Sequence, residues 1–223
     1  MLCFIKNFLI TLTSASEGFL KNIFKEQIEI IKKSNYDFKI NVLLLFSAMQ
    51  RNIFYVKAVF SKDGTVTAAN ASSLNDGASA LILMSSEKAN ELNLKPLARV
   101  VSYADASQEA KWFTTSPAIA INKALLKANI LAKDVDYWEL NEAFAVVSAV
   151  NCQLLNLDPE KVNVYGGAVS MGHPLGCSGA RILITLMSVL RQEGGTIGCA
   201  GVCNGGGGAS AMVLQRMTGK GAL

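Results

Sequence analysis

The sequence predicts an α/β protein, in which a parallel or mixed sheet has helices packed on both faces. Of the 223 residues, 51% are hydrophobic and only 17% are charged, a composition typical of a chain that buries a large core. After Pro96, short apolar runs alternate with longer segments of helical spacing. Strands separated by helices of this length require a sheet covered by helices in layers.

The elements can be predicted one by one from turn and capping signals. Strands are expected at 80–84, 97–103, 135–140, 162–165, 196–202 and 209–214. A polar helix is expected at 86–94, and a second helix at 118–128, where Ser116-Pro117 places proline at the first helical position. The last two helices are expected to run from an Asn141 N-cap to about residue 155, and over 176–191.

Charge, apolar run length and cysteine content exclude several classes of protein. The net charge of +4 is small and the basic residues are scattered, so we expect no nucleic-acid partner. The apolar stretches 2–12 and 40–49 are interrupted and shorter than the roughly 20 residues of a membrane span, so we expect no membrane partner. The five cysteines contain no Cys-x-x-Cys pair, which predicts reduced thiols rather than disulfides or zinc.

Two glycine-rich turns contain the residues best suited to chemistry. His173, the only histidine, lies in the turn 166–179, and Cys203 is followed by Asn204 and four glycines. Glycine lets backbone N–H groups approach a ligand closely, so such turns can present a reactive side chain beside preformed donors. A structural histidine and a buried, inert cysteine are the ordinary alternatives for these residue types.

Three candidate residues are predicted to meet at one edge of the sheet. Asn141, His173 and Cys203 each follow a predicted strand, and in an α/β sheet the loops after the carboxyl ends of strands line the ligand crevice. Asn141 also has a purely structural interpretation as a helix N-cap.

Three motifs in this order resemble the C-terminal half of a thiolase, a member of the acetyl-CoA acetyltransferase family. They are Asn-Glu-Ala-Phe-Ala at 141–145, the histidine turn at 166–179 and the cysteine turn at 203–208. The resemblance runs from about residue 56 to 215 and implies a thiolase-like layered α-β-α fold whose N-terminal half is largely missing. It divides the chain into an unmatched segment, 1–55, the end of the N-terminal half with a coenzyme A loop, 56–96, and a C-terminal domain, 97–223.

The resemblance also implies a role for each motif residue. Asn141 would hold a water that forms one oxyanion hole with His173, Cys203 would move the α-proton, and the Gly205 amide would help form a second hole. The implied reaction is the Claisen condensation of two acetyl-CoA molecules to acetoacetyl-CoA, or the reverse thiolysis. Coenzyme A would be a substrate, and no covalent cofactor is expected.

A further stretch, 65–77, resembles the thiolase segment that lines the pantetheine of coenzyme A. The resemblance implies that three residues contact coenzyme A, namely Ala68, Ser72 and Phe144. The Ala-Ala-Asn-Ala sequence at 68–71 resembles potassium-responsive mitochondrial thiolases and thereby implies a mitochondrial location. It also implies a potassium site formed by the carbonyl oxygens of Ala68, Ala69, Ala71 and Val169.

One feature of the sequence departs from the family pattern. Thiolases carry the acyl group on a cysteine in a Cys-Ala/Ser-Ser-Gly context, and none of the five cysteines stands in that context. We therefore expect this chain to be inactive by itself, and to form homo-oligomers or to associate with other thiolase chains. The alternative is a non-catalytic module that binds coenzyme A or a partner. A ketoacyl synthase is disfavoured, because that family uses two histidines.

Overall fold

A computed structural model of the chain describes residues 2–5 and 56–217, so most of the segment 1–55 lies outside the described residues. The strands are β1 Leu2–Ile5, β2 Leu83–Ser85, β3 Pro96–Ser107, β4 Tyr137–Leu140, β5 Ile197–Cys203 and β6 Gly208–Arg216. The α-helices are α1 Ser86–Glu91, α2 Ser116–Ala128, α3 Ala145–Leu155, α4 Ala168–Met171 and α5 Leu175–Gln192. Short 3₁₀ turns occur at Ala110–Trp112, Ala132–Asp134 and Pro159–Lys161.

The six strands form one mixed sheet in the order β2-β1-β3-β6-β5-β4. Among the strands of the described residues, only β4 and β5 pair in parallel, and the other neighbouring strands are antiparallel. The longest pairing joins β3 to β6, from Ala98 opposite Arg216 to Ser107 opposite Gly208. The predicted mixed sheet is therefore confirmed.

Helices cover both faces of this sheet. Alternate residues of β6 point to opposite faces, as the pleat of a strand requires, so Val213 packs in a cluster with α2 and Leu214 in a cluster with α5. Ile121 of α2 and Leu186 of α5 are fully buried at the centres of these clusters. This arrangement confirms the layered α-β-α fold. Among the described residues, no helix is long and apolar enough to cross a membrane.

Three of the predicted elements differ from the structure. The expected buried strand at 80–84 is the short strand β2, in which Leu83 is 45% exposed. Asn141 is not an N-cap, because α3 begins at Ala145 with Phe144 in the capping position. The expected strand at 162–165 is reduced to a single parallel bridge between Val162 and Trp138 of β4, since Asn163 adopts a left-handed conformation with φ 49°.

The side chain of Asn163 continues the pairing beside β4 beyond the single bridge at Val162. Its Oδ1 accepts a hydrogen bond from the Leu140 N–H at 2.8 Å, and its Nδ2 donates to the Leu140 carbonyl at 2.9 Å. One amide side chain thus satisfies both backbone groups that a neighbouring strand residue would otherwise pair. The sequence of the run 162–165 does not indicate that the Asn163 side chain takes the place of a strand residue.

A buried asparagine joins α3 to the first turn of α2. Asn151, fully buried, accepts a hydrogen bond from the Ala118 N–H at 2.7 Å and donates to the carbonyls of Thr114 at 2.7 Å and Val147 at 2.6 Å. The Ala118 N–H is one of the groups that a helix start leaves without an intrahelical partner. Asn151 therefore holds two helices together through backbone groups alone.

We predict that Asn151→Ala lowers the free energy of unfolding by about 2–4 kcal/mol, because it leaves buried backbone groups unpaired. Gln153→Ala, on the exposed face of the same helix, is the matched control and should change the free energy of unfolding by less than about 0.5 kcal/mol. Urea denaturation followed by circular dichroism measures both. Equal stability of the two variants would contradict a joining role for Asn151.

Candidate active site

His173 lies in the turn that joins α4 to α5, and it is only 8% exposed. Its backbone N–H donates to the Ser73 carbonyl at 3.0 Å, which fastens the turn to the loop 73–77. Gly172, just before it, has φ +92°, and a Cβ at that position would overlap the side chain of Asn75. The loop 73–77 therefore contacts the turn at two consecutive residues, Gly172 and His173.

The imidazole of His173 contacts one polar side chain on each ring nitrogen. Nδ1 lies 2.7 Å from the Ser178 hydroxyl, and Nε2 lies 3.3 Å from Nδ2 of Asn141. Burial lowers the pKa of His173, and the nearby positive charge of Arg181 lowers it further. The resting imidazole is accordingly neutral around pH 7, since even its ordinary pKa lies below that.

Asn141 follows directly after β4 and is 1% exposed. Its backbone N–H donates to the Gly201 carbonyl at 2.9 Å and so extends the parallel pairing with β5 by one residue. Its side chain contacts His173 instead of capping α3. The structural interpretation of Asn141 as an N-cap is therefore wrong, and its side chain belongs to the cluster around the histidine.

Cys203 is the last residue of β5, 8% exposed, and lies two residues beyond Gly201, which accepts from Asn141. Burial raises the pKa of its thiol, although the backbone N–H groups of Gly205 and of Cys203 itself oppose the shift. Gly205 has φ +78°, a conformation that glycine adopts at little cost. The glycine turn thus directs an N–H at the sulfur, and the resting thiol is protonated.

The expected meeting of three strand-end residues is correct for two of them. Asn141 follows β4 and Cys203 ends β5, so the parallel pairing brings them to the same edge of the sheet. His173 does not follow a full strand, because the run at 162–165 forms a single bridge at Val162 and then turns. It reaches Asn141 from the helical side, through the connection between α4 and α5.

The loop that resembles a pantetheine-binding segment packs against the start of α3. Ser72 donates from both its N–H and its hydroxyl to the Ala143 carbonyl, at 3.1 and 2.8 Å, and Ala71 forms a bridge with Phe144. The Phe144 ring makes edge-to-face contacts with Phe60, at 5.9 Å between centroids, and Phe113, at 6.2 Å. The predicted coenzyme A residues Ser72 and Phe144 are therefore neighbours, and Ala68 is exposed on the same loop.

Two of the four residues expected to bind potassium, Ala71 and Val169, contact the segment 142–144. Ala71 pairs with Phe144, and the Val169 N–H donates to the Glu142 carboxylate at 3.2 Å. Within the described ranges, no backbone N–H donates to the carbonyl oxygens of Ala68, Ala69 or Ala71. Uncommitted carbonyl oxygens are suitable ligands for a hard cation, so the carbonyl groups of Ala68, Ala69 and Ala71 fit a potassium ion.

Two charged residues of the site were not found by inspection of the sequence. Glu139, on β4, is 1% exposed, and one of its oxygens lies 3.5 Å from the Arg181 guanidinium on α5. Burial raises the pKa of Glu139 to about 8, against the opposing effect of Arg181. The sequence contains two signals that could have found them. A glutamate stands between Trp138 and Leu140 in an apolar strand, and an arginine follows three residues after Ser178 on a helix.

Two family models match the chain. The thiolase C-terminal domain matches residues 94–216, and the thiolase N-terminal domain matches residues 23–87. The second match extends upstream of residue 56, where the resemblance in the motifs began. It therefore includes part of the segment 1–55, for which the motifs showed no resemblance.

Individual relatives agree with these models. An acetyl-CoA acetyltransferase from Schizosaccharomyces pombe is 59% identical over 162 residues, which are 73% of this chain and 41% of that protein. Acetyl-CoA acetyltransferase 2 from Arabidopsis thaliana is 62% identical over 152 residues, which are 68% of this chain and 38% of that protein. The chain thus spans about two fifths of the length of the curated relatives it matches.

A solved structure shows the same fold. The Acat5 thiolase from Ascaris suum, crystallised with coenzyme A, superposes with a TM-score of 0.72 and 46% identity over 75% of this chain and 44% of that one. The family models, the relatives and the fold agree, and the chain belongs to the thiolase family.

Proposed function

We propose that this chain supplies the acid/base and oxyanion-binding groups of an acetyl-CoA acetyltransferase. The observation that supports this best is the 3.3 Å contact between Asn141 and His173, at the sheet edge where Cys203 ends β5. The proposal assigns residues 97–223 to the C-terminal thiolase domain and 56–96 to the end of the N-terminal half. The two family matches meet between residues 87 and 94, close to that boundary.

The protonation states suit the thiolytic direction in particular. In thiolysis, cleavage of the bond between the α and β carbons of acetoacetyl-CoA leaves an enolate of acetyl-CoA, which must gain a proton. Cys203, protonated at rest because burial raises its pKa, would donate that proton and become a thiolate. The turn N–H of Gly205 stabilises that thiolate. In condensation the same thiolate removes the methyl proton and returns to the thiol.

His173 and a water held by Asn141 would bind the oxygen on which negative charge develops. The neutral imidazole accepts a proton from an attacking thiol, and the imidazolium then donates to the thioester oxygen as that oxygen becomes an oxyanion. The site therefore needs no permanent positive charge on His173, in agreement with its lowered pKa. Ser72 and Phe144, with Ala68, would line the pantetheine arm of coenzyme A.

Potassium and the compartment remain predictions. The carbonyl oxygens of Ala68, Ala69, Ala71 and Val169 would hold a potassium ion, which would stabilise the loop beside the coenzyme A site. The resemblance to the potassium-responsive form predicts a mitochondrial protein, and otherwise a cytoplasmic one.

A non-catalytic module that binds coenzyme A or another thiolase chain is the second candidate. It is favoured by one observation, that none of the five cysteines stands in the Cys-Ala/Ser-Ser-Gly context of an acyl carrier. Both candidate functions are compatible with homo-oligomers or with association with other thiolase chains.

We predict that the 223-residue chain by itself does not become acylated by acetyl-CoA, because a proton-transfer thiol cannot replace the acyl-carrying nucleophile. Incubation with radiolabelled acetyl-CoA, followed by denaturation and scintillation counting, should leave the chain unlabelled. A full-length acetyl-CoA acetyltransferase treated in parallel provides the positive control. Stoichiometric label on Cys177, at the start of α5, would overturn this prediction.

We next predict how Cys203 and His173 differ once a thiolase N-terminal half precedes residue 56. Cys203→Ala should still form the acyl-enzyme but lose α-proton exchange in deuterated water by roughly 10²-fold or more, whereas His173→Ala should lose both reactions by a similar factor. Cys152→Ala, outside the site, is the matched control and should retain both. Parental exchange in Cys203→Ala would show that Cys203 is not the base.

The raised pKa of Cys203 predicts slow alkylation near neutral pH. Because only the thiolate reacts, the rate of iodoacetamide modification should rise with pH through a midpoint above that of an ordinary cysteine. Peptide mass spectrometry measures the rate at Cys203, and fully buried Cys199 serves as the unreactive internal control. A midpoint at or below the ordinary value would contradict burial as the dominant effect.

A further inference from the structure

Five polar side chains form an unbroken series through the buried part of the site. They are Glu139, Arg181, Asn141, His173 and Ser178, and each lies within 3.5 Å of the next. Three of them, Glu139, Asn141 and Ser178, are 1% exposed. The family motifs account for Asn141 and His173 but leave the other three without a role.

Arg181 determines which way the amide of Asn141 points. A guanidinium has only donors, and its Nη2 lies 3.4 Å from Oδ1 of Asn141. The reversed amide would place an NH₂ group against another donor, so the orientation with oxygen toward Arg181 is the favourable one. The amide nitrogen of Asn141 must then face His173.

The amide nitrogen in turn determines the proton position on the imidazole. Nδ2 of Asn141 is only a donor, so Nε2 of His173, 3.3 Å away, must accept. A neutral imidazole that accepts at Nε2 carries its proton on Nδ1. That proton points to the Ser178 hydroxyl at 2.7 Å, and the hydroxyl can donate onward to the Pro174 carbonyl at 3.2 Å. All the donors therefore run in one direction.

Glu139 has no other role that the structure displays. Burying a carboxyl group and a guanidinium together is costly, and the contact between them is long, at 3.5 Å. Within the described residues, the second oxygen of Glu139, Oε1, has no hydrogen-bond partner. An apolar pair would fill this position on the sheet at lower cost, so this polar pair is better explained by what Arg181 does to Asn141.

We propose that Arg181, anchored by Glu139, is a positioning residue that sets the tautomer of His173 through Asn141. The ring would be held with its proton on Nδ1 and a lone pair on Nε2, the form that accepts a proton from an attacking thiol. The catalytic role of this tautomer rests on the proposed function, but the tautomer itself does not. The tautomer can be observed in the chain without coenzyme A.

The test uses nuclear magnetic resonance of the single histidine in the full chain. With ¹⁵N-labelled histidine, the two ring nitrogens report separately whether each carries a proton. Above its titration midpoint, His173 should show a protonated Nδ1 and an unprotonated Nε2. A dominant Nε2–H form in the unaltered chain would overturn the proposal.

Arg181→Gln should change the ratio of Nδ1–H to Nε2–H tautomers by about two- to tenfold, the effect of one lost hydrogen bond. It should also raise the titration midpoint of His173, because a repelling positive charge is removed. The other titratable groups that act on Arg181 are Glu139, Glu142 and Cys177. Because Glu139 anchors Arg181, Glu139→Gln should shift the tautomer ratio of His173 in the same direction as Arg181→Gln. Unchanged nitrogen shifts in Arg181→Gln would refute the positioning role.

Arg191→Gln is the matched control, because it makes the same change on the exposed last turn of α5, about 15 Å along the helix. It should leave the tautomer ratio unaltered.

If Arg181→Gln fails to fold, the double variant Glu139→Gln/Arg181→Met removes the guanidinium and the carboxyl group together, and its tautomer ratio is interpreted in the same way. Ser178→Ala removes the acceptor of the Nδ1 proton and should also shift the ratio toward Nε2–H, and no shift would count against the series. Failure of acyl transfer would leave these readings intact and would bear on the proposed function alone.

Discussion

The parallel pairing of β4 with β5 is the constraint on which the site depends. It is the only parallel pair in the described sheet, and it places the ends of both strands at one edge. Asn141 extends the pairing by one hydrogen bond to Gly201, so its position relative to Cys203 is set by backbone register. Register is well determined here because both faces of the sheet are buried under helices.

Two asparagine side chains pair backbone groups in this fold that extra strands or helix caps would otherwise pair. Asn163 replaces a neighbouring strand residue beside Leu140, and Asn151 joins the start of α2 to α3. Each satisfies backbone groups that would be costly to bury unpaired. The layered core can therefore remain apolar while irregular chain passes close to it, and that irregular chain contains the loop 166–173 that presents His173.

The sequence predicted the layers correctly but not the irregular connections. Pro117 at the start of α2 and the apolar runs of β5 and β6 are local signals, so they can be recognised from neighbouring residues. The side-chain contacts of Asn163 and the Glu139–Arg181 pair join residues 23 and 42 positions apart, and no local pattern encodes them. The same reason explains why Asn141 resembled a helix cap: its partner, His173, lies 32 residues away.

Burial shifts the pKa values of the two candidate catalytic groups in opposite directions, and both shifts favour the neutral form. It lowers the pKa of His173 and raises that of Cys203, so both are neutral at rest. In this neutral pair the imidazole can accept a proton on Nε2 and the thiol can donate one. Charge would then appear only when a substrate is bound, next to the turn N–H of Gly205 and the amide of Asn141. Arg181 and the buried carboxyl group of Glu139 beside it lie on the far side of Asn141, where they orient its amide.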